Sequence, residues 1–158
     1  ESYTTTNERQ ESLPKAAQAE LRDRINTIEE SYEYFLAYAA QGLPGDAASN
    51  SGGQVRDYLQ RSDAALTGLA DLFTAFVKRR DLELADRYRS FIAVLGRDAG
   101  DAQAAMQVVL SQPSISSQLV DNLNASIHVR ALLMDLFLID EALKLQVAEV
   151  SSPPATQL

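Results

Sequence analysis

The stretch VRDYLQRSDAALTGLADLFTAF, residues 55–76, decides the fold class of this 158-residue chain. Its apolar residues recur at alternating steps of four and three. That spacing keeps one side of an α-helix apolar and able to pack on neighbouring helices. The stripe consists of Val55, Leu59, Ser62, Leu66, Leu69, Phe73 and Phe76. The pattern predicts a long amphipathic helix, the second of the chain, in an all-α protein.

The same periodicity predicts three more helices, one before this stretch and two after it. The first should begin near Ser12 to Pro14, because serine caps free N–H groups and proline is tolerated in a first turn. It should end at 42–44, where Gly42 can adopt the left-handed cap conformation and Pro44 cannot continue a helix. Its apolar stripe is Leu21, Ile25, Ile28, Tyr32, Phe35 and Ala39.

A tight turn at 79–82 separates the second helix from the third in the favoured interpretation. The apolar phase of the second helix fails at Arg80 and restarts at Leu84. Basic residues suit the C-terminus of a helix, and Asp81 suits the N-cap of the next one. A single long helix through this point is the alternative. The third helix should end before Pro113.

The fourth helix should start around residues 114–116 and run to about Val150. Short connections make successive helices antiparallel neighbours. The sequence therefore predicts an all-α, antiparallel up-down-up-down four-helix bundle over residues 12–150. A mobile N-terminal arm over 1–11 and a flexible C-terminal tail over 151–158 should flank this single domain.

Composition and charge narrow the classes of partner. Hydrophobic residues make up 46% of the chain and charged residues 23%, which is typical of a globular protein. The net charge of −8 repels phosphate backbones, so nucleic acid is not an expected partner. Asp135 and Asp140 interrupt the longest apolar tract, so no membrane span is expected. We expect a cytoplasmic protein, although a start at Glu1 leaves room for a removed N-terminal signal.

The residues available for chemistry are few. Cysteine is absent and His128 is the only histidine, so iron–sulfur, cysteine-zinc and di-iron sites lack their ligands. The chain has no Gly-x-Ser-x-Gly elbow and no phosphate-binding glycine loop. We therefore expect no catalytic residue, no metal site and no cofactor, with His128 on the surface or at an interface.

The fourth helix carries apolar stripes on two opposite faces, whereas a helix of a monomeric bundle needs only one. The stripe assigned to the bundle core is Leu119, Leu123, Ile127, Met134, Phe137, Leu138 and Leu145. The stripe assigned to an interface, most simply a symmetric homodimer, is Val129, Leu132, Leu136, Ile139, Leu143 and Val147. The alternatives are that the arm or the 43–53 loop covers this second face, or that a wider fold surrounds the helix.

Two tyrosines of the first helix are further interface candidates. Tyr34 and Tyr38 lie four residues apart, on a different face from the core stripe. Tyrosine is frequent at interfaces because its ring buries area while its hydroxyl keeps a hydrogen bond. The alternative is that both simply cover the surface of their own helix.

Charged residues also fall inside the predicted core. In an antiparallel hairpin of helices three and four, Asp98 lies opposite Arg130, and Arg87 lies opposite Glu141. Because a buried charge must be paired, each pair would fix the register of the two helices. Alternatively, the charges line a polar pocket for a small ligand. Tyr32 and Asp63 complete this predicted polar layer.

The sequence favours a non-catalytic helical assembly or accessory protein that acts through helix surfaces, as a homodimer through its fourth helix. The alternative is a small-ligand-binding or sensory bundle with a polar pocket between helices three and four. A cavity of about 300 Å³ or more near Ala99 and Ala102 would favour the ligand hypothesis, and a sealed core would favour assembly. An enzyme with an unrecognised site is the third hypothesis.

Overall fold

The computed structural model describes residues 4–48 and 52–144, with side chains described for 15–47 and 53–144. This part of the chain is all-helical. The helices are α1 (Thr4–Ala40), α2 (Gly52–Leu66), α3 (Leu69–Arg80), α4 (Leu82–Leu110), α5 (Ser117–Ala125) and α6 (Ile127–Leu143), with one 3-10 turn at Asp46–Ala48. None of these helices is both long enough and apolar enough to cross a membrane.

Two central helices organise the packing. Helix α1 packs against α2, α3 and α5, and helix α4 packs against α2, α3, α5 and α6. The stripe of residues 55–76 is buried at all seven of its positions, including the polar Ser62. The first-helix stripe is buried or half-buried throughout. The 3.6-residue period therefore identified the core side of both segments correctly.

Helix α1 starts earlier than the sequence predicted and ends where it predicted. It begins at Thr4, so the expected start at Ser12 to Pro14 is wrong. The segment ahead of Ser12 contains glutamate, arginine and glutamine, which are good helix formers. The helix ends at Ala40, and Gly42 has a φ of 64°, which confirms the left-handed glycine at its C-terminus. The mobility of the arm stays a prediction, and the predicted tail lies outside the described residues.

The predicted second helix is two helices, because the chain breaks at Thr67-Gly68. Gly68 has a φ of 68°, a conformation that costs little only for glycine. A break leaves backbone carbonyls without helical partners. The Arg24 guanidinium of α1 donates to the carbonyls of Ala65 and Thr67, and the Gln103 amide of α4 donates to Asp63 O at 3.0 Å. Neighbouring helices therefore stabilise the break from both sides.

The two glycines of this region give opposite predictions for the same substitution. Gly68→Ala should destabilise the protein by about 1–2 kcal/mol, because alanine at a left-handed φ is strained even though open space surrounds the site. Gly100→Ala, in the interior of α4 with equally open surroundings, should stabilise it by about 0.5–1 kcal/mol. Urea denaturation followed by circular dichroism measures both. A stabilising effect of Gly68→Ala, of the same sign as that of Gly100→Ala, would show that α2 and α3 are one continuous helix.

The turn between α3 and α4 is at the predicted place. Asp81 is the only residue between the two helices, and its side chain accepts a hydrogen bond from Glu83 N at 2.8 Å. The last turn of α3 carries Lys78, Arg79 and Arg80, whose charges suit a helix C-terminus. The alternative of one long helix through this point is therefore wrong.

The predicted fourth helix is also two helices, because it breaks at Ser126. The Ser126 backbone is extended, and its hydroxyl accepts a hydrogen bond from His128 N at 3.2 Å. Its own N–H donates to Leu123 O and closes α5. Serine competes with the helical backbone in this way, so it ends one helix and caps the next. Helix α6 ends at Leu143, and the predicted end near Val150 lies outside the described residues.

The loop after α1 holds the connection between α4 and α5. The Arg56 guanidinium donates to the Asp46 carboxylate at 2.7 Å, and Asp46 accepts from Ile115 N at 2.7 Å. These bonds lower the pKa of Asp46 below its ordinary value. Leu43 also exchanges backbone and side-chain hydrogen bonds with Ser117, at the start of α5. The described part of the loop therefore packs at the start of α5.

Candidate functional site

The predicted interface stripe of the fourth helix is part of the core. Four of its residues are almost fully buried, Val129, Leu132, Leu136 and Ile139, and Leu143 is 6% exposed. A side chain already covered by its own chain cannot form a contact surface for a second protein in this fold. The interface assignment of these five residues is therefore wrong. Val147 lies outside the described residues.

The apolar face that points to solvent is the one the sequence assigned to the core. The exposed fractions are 73% for Ile127, 59% for Met134, 49% for Phe137 and 59% for Leu138. Ile127, Phe137 and Leu138 lie seven, three and four positions from Met134, so the four residues form one stripe along α6. We call these four residues the outer stripe. In α5, Leu123 is buried and Leu119 half-buried, as predicted, and Leu145 lies outside the described residues.

The break at Ser126 explains why the two faces are exchanged. The predicted faces assume one continuous helix, in which each residue after Leu119 is rotated by a further 100° about the axis. One residue with an extended backbone interrupts that rotation and changes the axis, so the phase of α5 cannot be carried into α6. The signal that could have revealed the break is the short polar sequence Asn124-Ala125-Ser126, which contains two residue types that favour helix caps.

The carboxyl of Asp98 meets another carboxyl, where the sequence predicted an arginine. Asp98 lies beside Asp135 of α6, and Arg130 is exposed. Two carboxylates cannot bond to each other unless one of them carries a proton. Burial, followed by the hydrogen bond and the charge of Asp98, raises the pKa of Asp135 to about 7. The predicted Asp98–Arg130 pair is therefore wrong, and two neighbouring carboxyls, those of Asp98 and Asp135, lie between α4 and α6.

A second acidic contact lies between α1 and α6. Glu29 has a raised pKa because it is partly buried, and because Asp140 of α6 and Glu33 lie near enough to repel its charge. Acidic groups therefore lie along both sides of α6, near α4 and near α1. They flank the helix and leave its outer stripe uncovered.

The second predicted charge pair is also absent from the core. Arg87 binds Glu83 of its own helix at 3.2 Å, and both side chains are exposed. Glu141 is exposed as well. The prediction of a buried Arg87–Glu141 pair is therefore wrong. It assumed one continuous fourth helix, and the break at Ser126 turns the face with Glu141 to solvent.

Tyr32 and Asp63 are not brought together with Asp98 into a pocket. Tyr32 is half-buried and packs against the core. The Asp63 carboxylate accepts a hydrogen bond from Gln107 Nε2 at 3.3 Å, while its carbonyl accepts from Gln103. Asp63 therefore joins α2 to α4 near the break at Gly68, and this role is structural.

The two interface tyrosines of α1 are occupied inside the chain. Tyr38 is fully buried, and its hydroxyl donates to Ile115 O at 2.7 Å. Tyr34 is half-buried, and its ring stacks on Tyr58 of α2 with centroids 4.3 Å apart. Burial raises the pKa of both hydroxyls. Tyr38 is therefore a core residue, which corrects its assignment to an interface, and Tyr34 contributes to the contact between α1 and α2.

The pocket at the level of Ala99 is small. It has a volume of about 130 Å³ and lies between the break at Gly68 and the surface of α4 around Gly96 and Gly100. A larger open cleft, of about 540 Å³, lies at the C-terminal end of α6, and Arg80, Tyr88 and Lys144 are among the residues that line it. The predicted polar pocket is therefore not at its expected place.

His128 is exposed at the start of α6. Its Nδ1 lies 4.0 Å from a carboxylate oxygen of Asp101 on α4, and both side chains are more than half exposed. Among the described residues, no group of three histidine, aspartate or glutamate side chains is arranged to hold a metal ion.

Comparisons with protein-family models, curated proteins and solved structures find no match to this chain.

Proposed function

We propose that this chain is a non-catalytic, protein-binding helical domain that self-associates through the outer stripe of α6. The observation that carries the proposal is the exposure of four large apolar side chains along one face of a single helix, Ile127, Met134, Phe137 and Leu138. Each such side chain gains about 1.5–3 kcal/mol when it is transferred from water to an apolar contact. A continuous apolar stripe of this kind is typical of a protein contact surface.

We also propose that the six helices form four antiparallel rods: α1, α2 with α3, α4, and α5 with α6. Hydrogen bonds at the two ends support this arrangement. At one end Tyr38 of α1 reaches Ile115, just before α5. At the other end Arg80 of α3 donates to Leu143 O, at the end of α6. In such a bundle α6 has one face on the core and one face outside, so the outer stripe is available for a partner.

Binding is a better-supported role than catalysis. A catalytic base usually owes its altered pKa to burial and to a specific charged neighbour. His128 and Asp101 are both exposed. The raised pKa of Asp135 has a structural explanation in its contact with Asp98, between two packed helices. We therefore assign no catalytic role to these residues.

The ligand-binding hypothesis has weaker support than assembly. Small-molecule sites commonly have volumes of about 300–1,000 Å³. The pocket near Ala99 has about 130 Å³. The cleft of about 540 Å³ reaches that range, but it is open and its rim is formed by charged residues, among them Arg80 and Lys144. We therefore retain the outer stripe as the functional surface.

The experiment that tests self-association is analytical ultracentrifugation over a range of protein concentrations. We expect a monomer–dimer equilibrium for the wild type and a monomer for the double variant Met134→Glu with Leu138→Glu, because charges in an apolar contact are strongly unfavourable. Val108→Glu is the matched control, since Val108 is 61% exposed but lies on α4. It should leave the dimer intact. A wild type that stays monomeric at high micromolar concentration would refute the proposal.

A further inference from the structure

The outer stripe of α6 has opposite charges at its two ends. Arg130 lies near the start of the helix and Glu141 near its end, and both side chains are exposed. They are separated by about three helical turns, or roughly 16 Å, so they lie on the same side of the helix. Met134, Phe137 and Leu138 lie between them. After Ile127, the outer face therefore carries a basic residue, then the three apolar residues and then an acidic residue, in chain order.

We infer that two copies of this chain pack α6 against α6 in an antiparallel, two-fold symmetric contact, with Arg130 of each copy paired with Glu141 of the other. This inference rests on the proposed self-association and specifies its geometry. Reversal of one helix places its basic end over the acidic end of the second copy. The two-fold axis then passes between residues 135 and 136. Met134 of each copy faces Phe137 and Leu138 of the other, and these six side chains form the seam.

Charge complementarity distinguishes this orientation from the parallel one. In a parallel two-fold contact Arg130 would lie beside Arg130, and Glu141 beside Glu141. Both are like-charge contacts, which oppose association. In the antiparallel contact each charge meets its opposite, and symmetry makes the pair twice. Antiparallel helices also place the positive end of one helix dipole near the negative end of the other.

The surface beside the stripe has room for the contact to spread. A shallow notch of about 210 Å³ lies between α4 and α6, next to Leu138, and is lined by Tyr88, Phe91 and Ala142. It continues the apolar surface from α6 onto α4. Apolar side chains of the second copy can therefore contact α4 as well as α6, which enlarges a seam that one helix alone would keep narrow.

The test is a charge swap read out as the dimer dissociation constant in ultracentrifugation. Arg130→Glu and Glu141→Arg should each weaken the dimer by about tenfold or more, because each creates two like-charge contacts. The double variant Arg130→Glu with Glu141→Arg should return to within about threefold of the wild type, because both pairs are restored with their signs exchanged. Both positions are exposed, so circular dichroism should show an unchanged fold.

The control is the same swap within an exposed pair of α4 that does not line the notch, Asp86→Arg with Arg89→Asp, which should leave the dissociation constant unchanged. Single reversals without effect, or a double variant no tighter than the single ones, would overturn the antiparallel register while the dimer itself persists. A wild type that never dimerises would instead refute the proposed function. The two failures are therefore distinguishable.

Discussion

Leu132→Ala should lower the free energy of unfolding by about 2–5 kcal/mol, because it removes three buried carbon atoms and leaves a cavity. Leu132 is fully buried on the inner face of α6. Leu138→Ala, which makes the same chemical change on the outer stripe, should alter the stability of the monomer by less than about 0.5 kcal/mol. Urea denaturation followed by circular dichroism measures both variants.

The pair of variants tests the orientation of α6 directly. A dimer would make part of the stability depend on protein concentration, so both variants are measured at two concentrations and compared with the wild type. A loss at Leu138 that grows with concentration reports the dimer contact. If Leu138→Ala were as destabilising as Leu132→Ala at every concentration, the outer stripe would be core, and the assignment of the faces would be reversed.

Asp135→Asn should stabilise the protein by about 1–2 kcal/mol at pH 8 and have little effect at pH 4. The pKa of Asp135 is about 7 in the folded protein, against an ordinary value of 3.8. Between these values the folded state binds more protons than the unfolded state. Stability that is present below about pH 4 is therefore lost as the pH rises through about 7. Asparagine donates an N–H to Asp98 at every pH and removes this loss.

The magnitude follows from the two pKa values. Their full difference corresponds to roughly 4 kcal/mol, but Asp135 is partly exposed, and solvent screening reduces the effect to the smaller figure. Asp121→Asn, an identical change at an exposed position of α5, is the control and should show no such pH dependence. Equal effects of Asp135→Asn at pH 4 and pH 8 would show that the two carboxyls share no proton.

The helix ends that the sequence predicted correctly share a local cause. Gly42 takes a left-handed φ and Asp81 caps the helix that follows it. Each of these residues acts within about four positions of itself, through its own backbone or a short side-chain bond. Such signals can be recognised without knowing the fold. The breaks at Gly68 and Ser126 were missed because the apolar period of the sequence continues across both. At Gly68 the hydrogen bonds to Thr67 come from Arg24 and Gln103, which belong to other helices and are distant in sequence.

The sequence predicted an exposed apolar face on the last helical segment, but it assigned that face to the wrong residues. Two apolar stripes on the last segment indicated that one of them would remain outside a simple bundle, and the outer stripe is such a surface. The sequence assigned it to the wrong face because a single residue, Ser126, interrupts the helical rotation. The polar pairs failed for the same reason, since Asp98 meets Asp135 only when α6 is turned.

The sequence by itself determined that the chain is helical, which side of the first two segments is buried, and where α1, α3 and α4 end. These properties follow from local periodicity and capping. Only the tertiary structure decided the orientation of α6, the partner of Asp98 and the burial of Tyr38. Each of these depends on the relative rotation of helices that are distant in sequence, and one non-helical residue is enough to change that rotation without altering the composition of either face.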